Sequence, residues 1–241
     1  MSTIAQMHIG VKNLLPFNRY DDFEPEEIDL YLNEAIELFV SQKYNDFVDA
    51  RSQNLAFEEV QKRLDDLRAI LITDKELTPI AVNETFNYGV AALPGNYKFL
   101  VEDSTLVYYN ACSDISYTLD VDKHISTFSN GSEVVVENRL KTSSNFRSNH
   151  SIAFKKTSYE SPLSRIRGNN LEVYFEPKKF IPKKIYIDYI REPQKVDLSS
   201  SKDCDLAPHT HREIIRRTVD VILEVIERRE RAIDPQSLQK E

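Results

Sequence analysis

The side chains best suited to metal chemistry lie in one short stretch of the chain. Cys204, His209 and His211 offer one thiol and two imidazoles, and zinc takes three or four such ligands in a tetrahedron. A fourth ligand would have to come from Cys112 or His124, both far along the chain. The spacing also lacks the CxxC and HxxxH patterns of zinc sites. We therefore expect a helix start with two exposed imidazoles rather than a metal centre.

Local catalytic motifs do not occur in this sequence. It contains no Gly-x-Ser-x-Gly elbow and no Cys-His signature. The carboxylate pairs Asp21-Asp22 and Asp65-Asp66 are adjacent, and adjacent side chains on a helix point apart. The five glycines stand alone, so no phosphate-binding loop is present. We expect no catalytic, cofactor or metal site, and an enzyme would need residues that the fold gathers from distant parts of the chain.

Positive charge is concentrated in the middle of the chain. Residues 139–191 carry 12 basic and 4 acidic side chains, whereas residues 1–100 carry 9 basic and 17 acidic ones. Complementary charge of this kind allows copies of one chain to bind each other, although a solvated basic loop has the same composition. The candidate contacts to another copy or a partner are these basic residues: Arg139, Lys141, Arg147, Lys155, Lys156, Arg165, Arg167, Lys178, Lys179, Lys183 and Lys184.

Nucleic-acid binding is an alternative use of the same segment, because aromatic residues such as Phe146, Phe154 and Tyr159 are interleaved with the basic ones. The pI near 5.3 argues against a dedicated nucleic-acid binder, and no recognised binding motif occurs. Non-specific contact with DNA inside a channel remains compatible with the sequence.

The sequence has no segment of 18 or more apolar residues and no signal-peptide pattern at its start. We therefore expect no membrane association and synthesis in the cytoplasm. Only two cysteines are present, so a disulfide framework is not expected.

Helical periodicity occurs at both ends of the chain. Residues 1–24 look irregular, and apolar residues then recur every three or four positions from Ile28 to Phe39, which predicts a helix to about Tyr44. After the polar stretch 45–54, the same spacing from Phe57 to Leu71 predicts a second helix. A third helix is predicted near residue 210. Its start fits either a capping box of Thr210 with Glu213 or Pro208 at the first helical position, and its end fits Asp234-Pro235.

Between residues 78 and 191 the period changes to two, which is typical of strands. The predicted strands are 97–101, 105–109, 115–121, 133–137, 171–176 and 184–191. Asn130-Gly131 fits a hairpin turn. Residues 141–170 are polar and basic, which indicates an exposed arm or a long hairpin tip.

These patterns predict an α+β fold, a small helical bundle carrying an inserted antiparallel β-rich domain with an extended basic arm. The expected divisions are a helical pair at 1–77, a β-rich insertion at 78–198 with its arm at about 141–170, and a C-terminal segment at 199–241. A lone amphipathic helix cannot bury its apolar stripe, so we expect the last helix to pack on the first pair and the tail after it to be flexible.

Three stretches resemble the head-to-tail connector and tail-ring proteins of short-tailed, crAss-like bacteriophages. They are Phe57–Arg68, Ile185–Pro193 and Cys204–Ile215, and their order along the chain is more informative than any one of them. In such proteins a strand that ends in an Ile-Arg-x-Pro-like motif is followed by a helix that starts with a Leu-x-Pro motif. The chain lacks the length expected of a portal protein.

The resemblance implies a non-enzymatic virion protein at the head–tail junction. Such proteins form rings of about twelve copies beneath the portal or in the tail barrel, and the rings line the channel through which DNA is ejected. The implied partners are further copies of the chain, the portal and neighbouring tail rings. Two alternatives stay open: a monomeric module that docks to another virion protein, and a small enzyme with a non-local active site.

Overall fold

The computed structural model of the chain shows a mixed α+β protein, which confirms the predicted fold class. It divides into two compact units, residues 72–191 and the remainder. We call these the β unit and the helical unit. The residues that the structure describes are 3–16, 23–53, 57–79, 81–83, 88–109, 117–121, 124–128, 133–140, 162–175 and 180–233.

The helical unit begins with a helix where the sequence pattern indicated irregular chain. Helix α1 spans Ile4–Leu14, and its N-cap is Thr3. The Thr3 hydroxyl accepts from the Gln6 amide at 3.4 Å, and the Gln6 side chain accepts from the Thr3 amide at 3.1 Å. This capping box stabilises the first turn. The expectation of irregular chain over residues 1–24 is therefore wrong over α1, whose start is marked in the sequence by the capping box Thr3-x-x-Gln6.

Helix α2 spans Pro25–Ser52 and is longer than predicted. The polar stretch after Tyr44 remains helical because Phe47 and Ala50 are buried on the inner face. Tertiary burial thus outweighs the weak local helix preference of that stretch.

Helix α3 covers only Phe57–Asp65, and a 3₁₀ turn at Arg68–Ile70 follows it. The chain then enters strand β1, Leu71–Leu77, so the predicted helix to Leu71 was too long. Leu67 and Ile70 are fully buried in this turn, which shows that their helix-like spacing reflects burial rather than a continuous helix.

Helix α4 spans His211–Ile233, directly before Asp234-Pro235. Both α1 and α2 pack against α4, and α3 packs against α2. Helices α1 and α4 come close together at Gly10, because a Cβ added there would lie 2.9 Å from Cδ1 of Ile215. The Thr210 hydroxyl donates to the Ala207 carbonyl at 2.8 Å, whereas the capping-box prediction had it facing Glu213.

The segment that returns from the β unit to α4 has little regular structure and is held by side chains of the helices. The Asn33 amide group donates to the Val196 carbonyl at 3.0 Å, and its oxygen accepts from the Val196 amide at 2.8 Å. Asp29 accepts from the Leu198 amide at 3.0 Å and lies 2.7 Å from His8 Nε2. We call Asp29 and Asn33 the α2 clamp.

The first sheet of the β unit has the strand order β1-β11-β4-β7. Besides β1, this sheet contains β4 at Tyr97–Tyr109, β7 at Glu133–Glu137 and β11 at Phe180–Arg191. Strand β4 was predicted as two strands because polar residues interrupt it at 102–104. Asp103 is nevertheless buried, and Asn138 donates to its carboxylate at 2.8 Å, so the strand continues.

The second sheet has the order β2-β3-β10-β9-β8, antiparallel except for the parallel pair β8–β9. Its strands are β2 at Ala81–Asn83, β3 at Tyr88–Ala92, β8 at Arg139–Leu140, β9 at Leu163–Arg167 and β10 at Asn170–Tyr174. A separate hairpin pairs β5, Tyr117–Val121, with β6, His124–Phe128. The Asn130-Gly131 turn lies outside the described residues.

The predicted arm needs a correction at its C-terminal end. Residues 163–170 belong to the β9–β10 hairpin, with a turn at Gly168 where φ is +58°. Leu163 and Ser164 are fully buried there, which an exposed arm would not allow. Residues 141–161 lie outside the described residues.

The core of the β unit is formed by side chains at alternate positions of its strands. Ile185, Ile187 and Tyr189 were predicted to share a face of β11, and all three are buried in this core. Its other buried members are Leu77, Ala91, Leu100, Val107, Leu171, Val173 and Phe175.

Replacing Asn33 by alanine tests the α2 clamp. We expect a loss of about 2–3 kcal/mol in the free energy of unfolding, because Val196 is buried and would keep two unpaired backbone groups. Urea denaturation measures this loss. The control Asn45→Ala, at an exposed position of the same helix, should change the free energy by less than about 0.5 kcal/mol. Equal effects for the two variants would contradict the assigned role of Asn33.

Candidate interaction surface

The outward side of α2 carries three exposed apolar side chains. Leu30 is 64% exposed, Leu38 50% and Val48 41%. At about 100° per residue they fall within roughly 80° of one another around the helix, and they extend along about 27 Å of it. We call these three residues the α2 stripe. Single exposed leucines are normal on a protein surface, but three apolar side chains exposed on one side of a helix mark a candidate contact surface.

Acidic residues accompany the α2 stripe. Glu34 and Glu37 are exposed and lie between Leu30 and Leu38 in sequence. The surface therefore combines apolar contact area with negative charge, which favours a partner surface that is apolar and basic.

Sequence reasoning missed the α2 stripe as a site. The predicted buried face of this helix contained Ile28, Leu32, Ala35, Ile36 and Phe39, and the structure buries all five. Leu30 and Leu38 lie off that face, and apolar residues left over from an assigned core face are the signal that could have found them.

The basic residues predicted as contacts fall into two groups. Five of them lie in the described part of the β unit: Arg139, Arg165, Arg167, Lys183 and Lys184. Six lie outside the described residues: Lys141, Arg147, Lys155, Lys156, Lys178 and Lys179.

Arg165 belongs to a polar cluster on the second sheet. Its Nε lies 2.6 Å from Glu172 Oε2, and its Nη2 donates to the Tyr174 hydroxyl at 2.7 Å. The Tyr174 hydroxyl donates in turn to Glu172 at 2.8 Å. Arg167 Nη1 lies farther from Glu172, at 3.8 Å. Glu172 is the member that sequence reasoning missed, and it anchors both arginines.

Burial raises the pKa of Tyr174 to about 12, and the hydrogen bond to Glu172 adds to that effect. The Tyr174 ring also stacks on Tyr88, with ring centroids 5.2 Å apart. At neutral pH this phenol stays protonated and acts as a donor to the carboxylate. The cluster is therefore a set of charge-assisted hydrogen bonds within the sheet.

The two lysines of β11 are paired with carboxylates on other strands of the same sheet. Lys183 pairs with Glu133 of β7. Lys184 Nζ lies 3.0 Å from Glu76 of β1, and this hydrogen bond raises the pKa of Lys184. Arg139 is half-buried in β8, where its backbone amide donates to the Pro162 carbonyl at 2.8 Å. Arg165, Arg167, Lys183 and Lys184 thus each lie near a carboxylate of their own chain.

The candidate metal ligands have separate partners. His209 Nε2 lies 3.0 Å from Asp66 Oδ1, and His211 Nε2 lies 3.1 Å from the Leu206 carbonyl. Cys204 is buried, and burial raises the pKa of its thiol to about 11. Within the described ranges, no three His, Cys, Asp or Glu side chains converge as a metal ion requires.

His209 belongs instead to a charged network that joins the helices. Lys43 Nζ lies 2.8 Å from Asp66 Oδ2 and 3.5 Å from Glu213 Oε2. Burial of the Asp66 carboxyl acts to raise its pKa, but hydrogen bonds from Lys43 and His209 outweigh burial and hold the pKa below its usual range. Alternating charges at these distances fix α2 and α4 against the turn after α3.

No protein-family model matches this sequence, and neither does any curated protein. Among the described helices, none combines the length and the apolar composition that crossing a lipid bilayer requires.

Replacing Arg165 or Arg167 by alanine separates a structural arginine from an available one. We expect Arg165→Ala to lower the free energy of unfolding by about 3 kcal/mol, because the Glu172 side chain is only 10% exposed and would lose its ion pair. Arg167 is 73% exposed, so Arg167→Ala should cost less than about 0.5 kcal/mol. Thermal and urea unfolding of the two variants provide the measurement. A small effect of Arg165→Ala would show that Glu172 does not depend on it.

Replacing Asp66 by asparagine tests the charged network through its pH dependence. Because the folded-state pKa of Asp66 is lowered, the carboxylate contributes stability above the unfolded pKa and loses it as pH falls. We expect the wild type to exceed Asp66→Asn by about 1 kcal/mol near pH 6, and the difference to shrink steadily as the pH falls below the ordinary Asp pKa of 3.8 toward the lower folded-state pKa. Unfolding experiments across this range measure the difference. The exposed neighbour variant Asp65→Asn should show no such trend.

Proposed function

We propose that this chain is a non-enzymatic structural protein that assembles with copies of itself into a ring. We further propose that the ring belongs to the head-to-tail connector or tail barrel of a short-tailed bacteriophage and supports the channel through which DNA leaves the capsid. Its partners would be the portal and neighbouring tail rings, and its place the virion.

The α2 stripe is the observation that carries the proposal. A row of Leu30, Leu38 and Val48 in water costs free energy that burial against another protein surface recovers, at about 25 cal/mol for each Å² of apolar area. The neighbouring Glu34 and Glu37 make this surface acidic. It should therefore attract a basic face of another copy and repel the same acidic face. A contact between unlike faces closes into a ring when its rotation divides a circle.

The distribution of charge supports contact between unlike faces. Residues 139–191 have an excess of basic side chains, and residues 1–100 have an excess of acidic ones. Arg167 is the most exposed of the described basic candidates, at 73%. The resemblance of three stretches to crAss-like connector proteins points to the same kind of assembly.

Replacing Leu38 by glutamate tests the proposal. The side chain is exposed, so the fold should survive, but a charge inside the subunit contact should weaken association at least tenfold, or about 1.4 kcal/mol. Light scattering over a range of concentrations measures association, and electron micrographs reveal rings directly.

Gln61→Glu is the matched control, because it adds the same charge at an exposed position on a different helix, α3. This variant should assemble like the wild type. A wild-type chain that stays monomeric at the highest concentration reached would contradict self-assembly, and equal assembly of the two variants would remove the α2 stripe from the contact.

A further inference from the structure

The two edges of the first sheet differ in how they face solvent. On the β1 edge, residues 73–76 are exposed and read Thr-Asp-Lys-Glu. Asp74 has a φ of +52°, and its amide donates to the Asp188 carboxylate at 2.7 Å. Charged residues and a local kink are the usual devices by which proteins keep further strands from adding to an edge.

The β7 edge carries neither a proline nor a kink of this kind. Its sequence, Glu133–Glu137, is Glu-Val-Val-Val-Glu, and it pairs with β4 on one side. On its other side no strand pairs with it among the described residues. Val134 and Val136 pack against the core, whereas Val135 points outward and is 58% exposed. The open edge thus offers backbone hydrogen-bonding groups beside an exposed apolar side chain.

We propose that β7 binds an extended segment of a partner protein as an additional strand. The segment carries an apolar residue beside Val135 and a lysine or arginine beside Glu137. Strand addition gives affinity through main-chain hydrogen bonds, while side chains at alternate positions give specificity.

The negative charge on the β7 edge favours a basic partner segment. Glu133 is paired with Lys183, whereas Glu137 makes no ion pair within the described part of the chain, so the selecting charge is concentrated at Glu137. A cation directly opposite a glutamate stabilises a strand pair, and a like charge destabilises it.

The same charges disfavour pairing of β7 with the β7 of a second copy. An antiparallel pair centred on Val135 would place Glu133 of each copy opposite Glu137 of the other. At each end of that pair, two glutamates would share one Lys183 as their only cation. A basic segment would instead supply a cation for Glu137 and leave the pair of Glu133 with Lys183 in place.

The test uses the full chain labelled with ¹⁵N and two peptides whose sequences read the same in both directions. One is acetyl-Thr-Lys-Thr-Val-Thr-Lys-Thr-amide, and the other has glutamate in place of both lysines. We expect the lysine peptide to shift the amide resonances of residues 133–137 and to bind at least fivefold more tightly than the glutamate peptide. Glu137→Lys should reverse that preference, because the residue is exposed and changes only the charge of the edge.

The control variant Glu58→Lys makes the same charge change on exposed α3 and should leave the preference as it was. The proposal is overturned if neither peptide shifts the β7 resonances at large molar excess, or if Glu137→Lys and Glu58→Lys act alike. It is also overturned if the same resonances shift when the protein alone is concentrated, since β7 would then pair with a second copy. All of these measurements are made on chains that also carry Leu38→Glu, so that ring assembly through α2 neither shifts nor broadens the β7 resonances.

Discussion

The helical unit depends on how the chain satisfies its backbone polar groups between residues 192 and 210. This segment is partly buried and has almost no regular structure, so helix and sheet ladders cannot pair its amides and carbonyls. Side-chain carboxylates and one amide pair several of these groups instead. Asn33 pairs with both backbone groups of Val196, Asp29 accepts from the Leu198 amide, and Asp205 accepts from the Gln194 amide. With these bonds made, α4 lies against α1 and α2 with Ile214 and Ile222 buried.

The basic residues of the β unit show why a count of charges overstates the capacity to bind. Arg165, Lys183 and Lys184 each have a carboxylate of the same chain within ion-pairing distance. A cation in such a pair gains little from a new partner, because the old pair is lost in exchange. Contact energy is therefore expected from exposed apolar area, as on α2 and β7, and the charges determine which partner is accepted and in what orientation.

The sequence predicted those parts of the fold in which burial and local periodicity agree. Ile185, Ile187 and Tyr189 alternate along β11 and are buried, and the inner face of α2 follows its apolar spacing. The failures occur where a distant partner decides the structure. The polar residues of β4 looked like a break, but Asn138 pairs with Asp103 and Thr105 across the sheet, at 2.8 and 2.9 Å. The clamp role of Asn33 and the pairing of Glu172 also depend on residues far along the chain, which no local pattern reveals.

The order in which the chain is made gives the arrangement of the helical unit a further consequence. The apolar faces of α1 and α2 are covered by α4, which begins only at His211, whereas the pairs within the β unit join residues between 71 and 191. On a ribosome the β unit has all its strands before the helical unit has its last helix, and domains generally fold as units during synthesis. The apolar faces of α1 and α2 therefore stay uncovered by α4 while more than a hundred residues are synthesised.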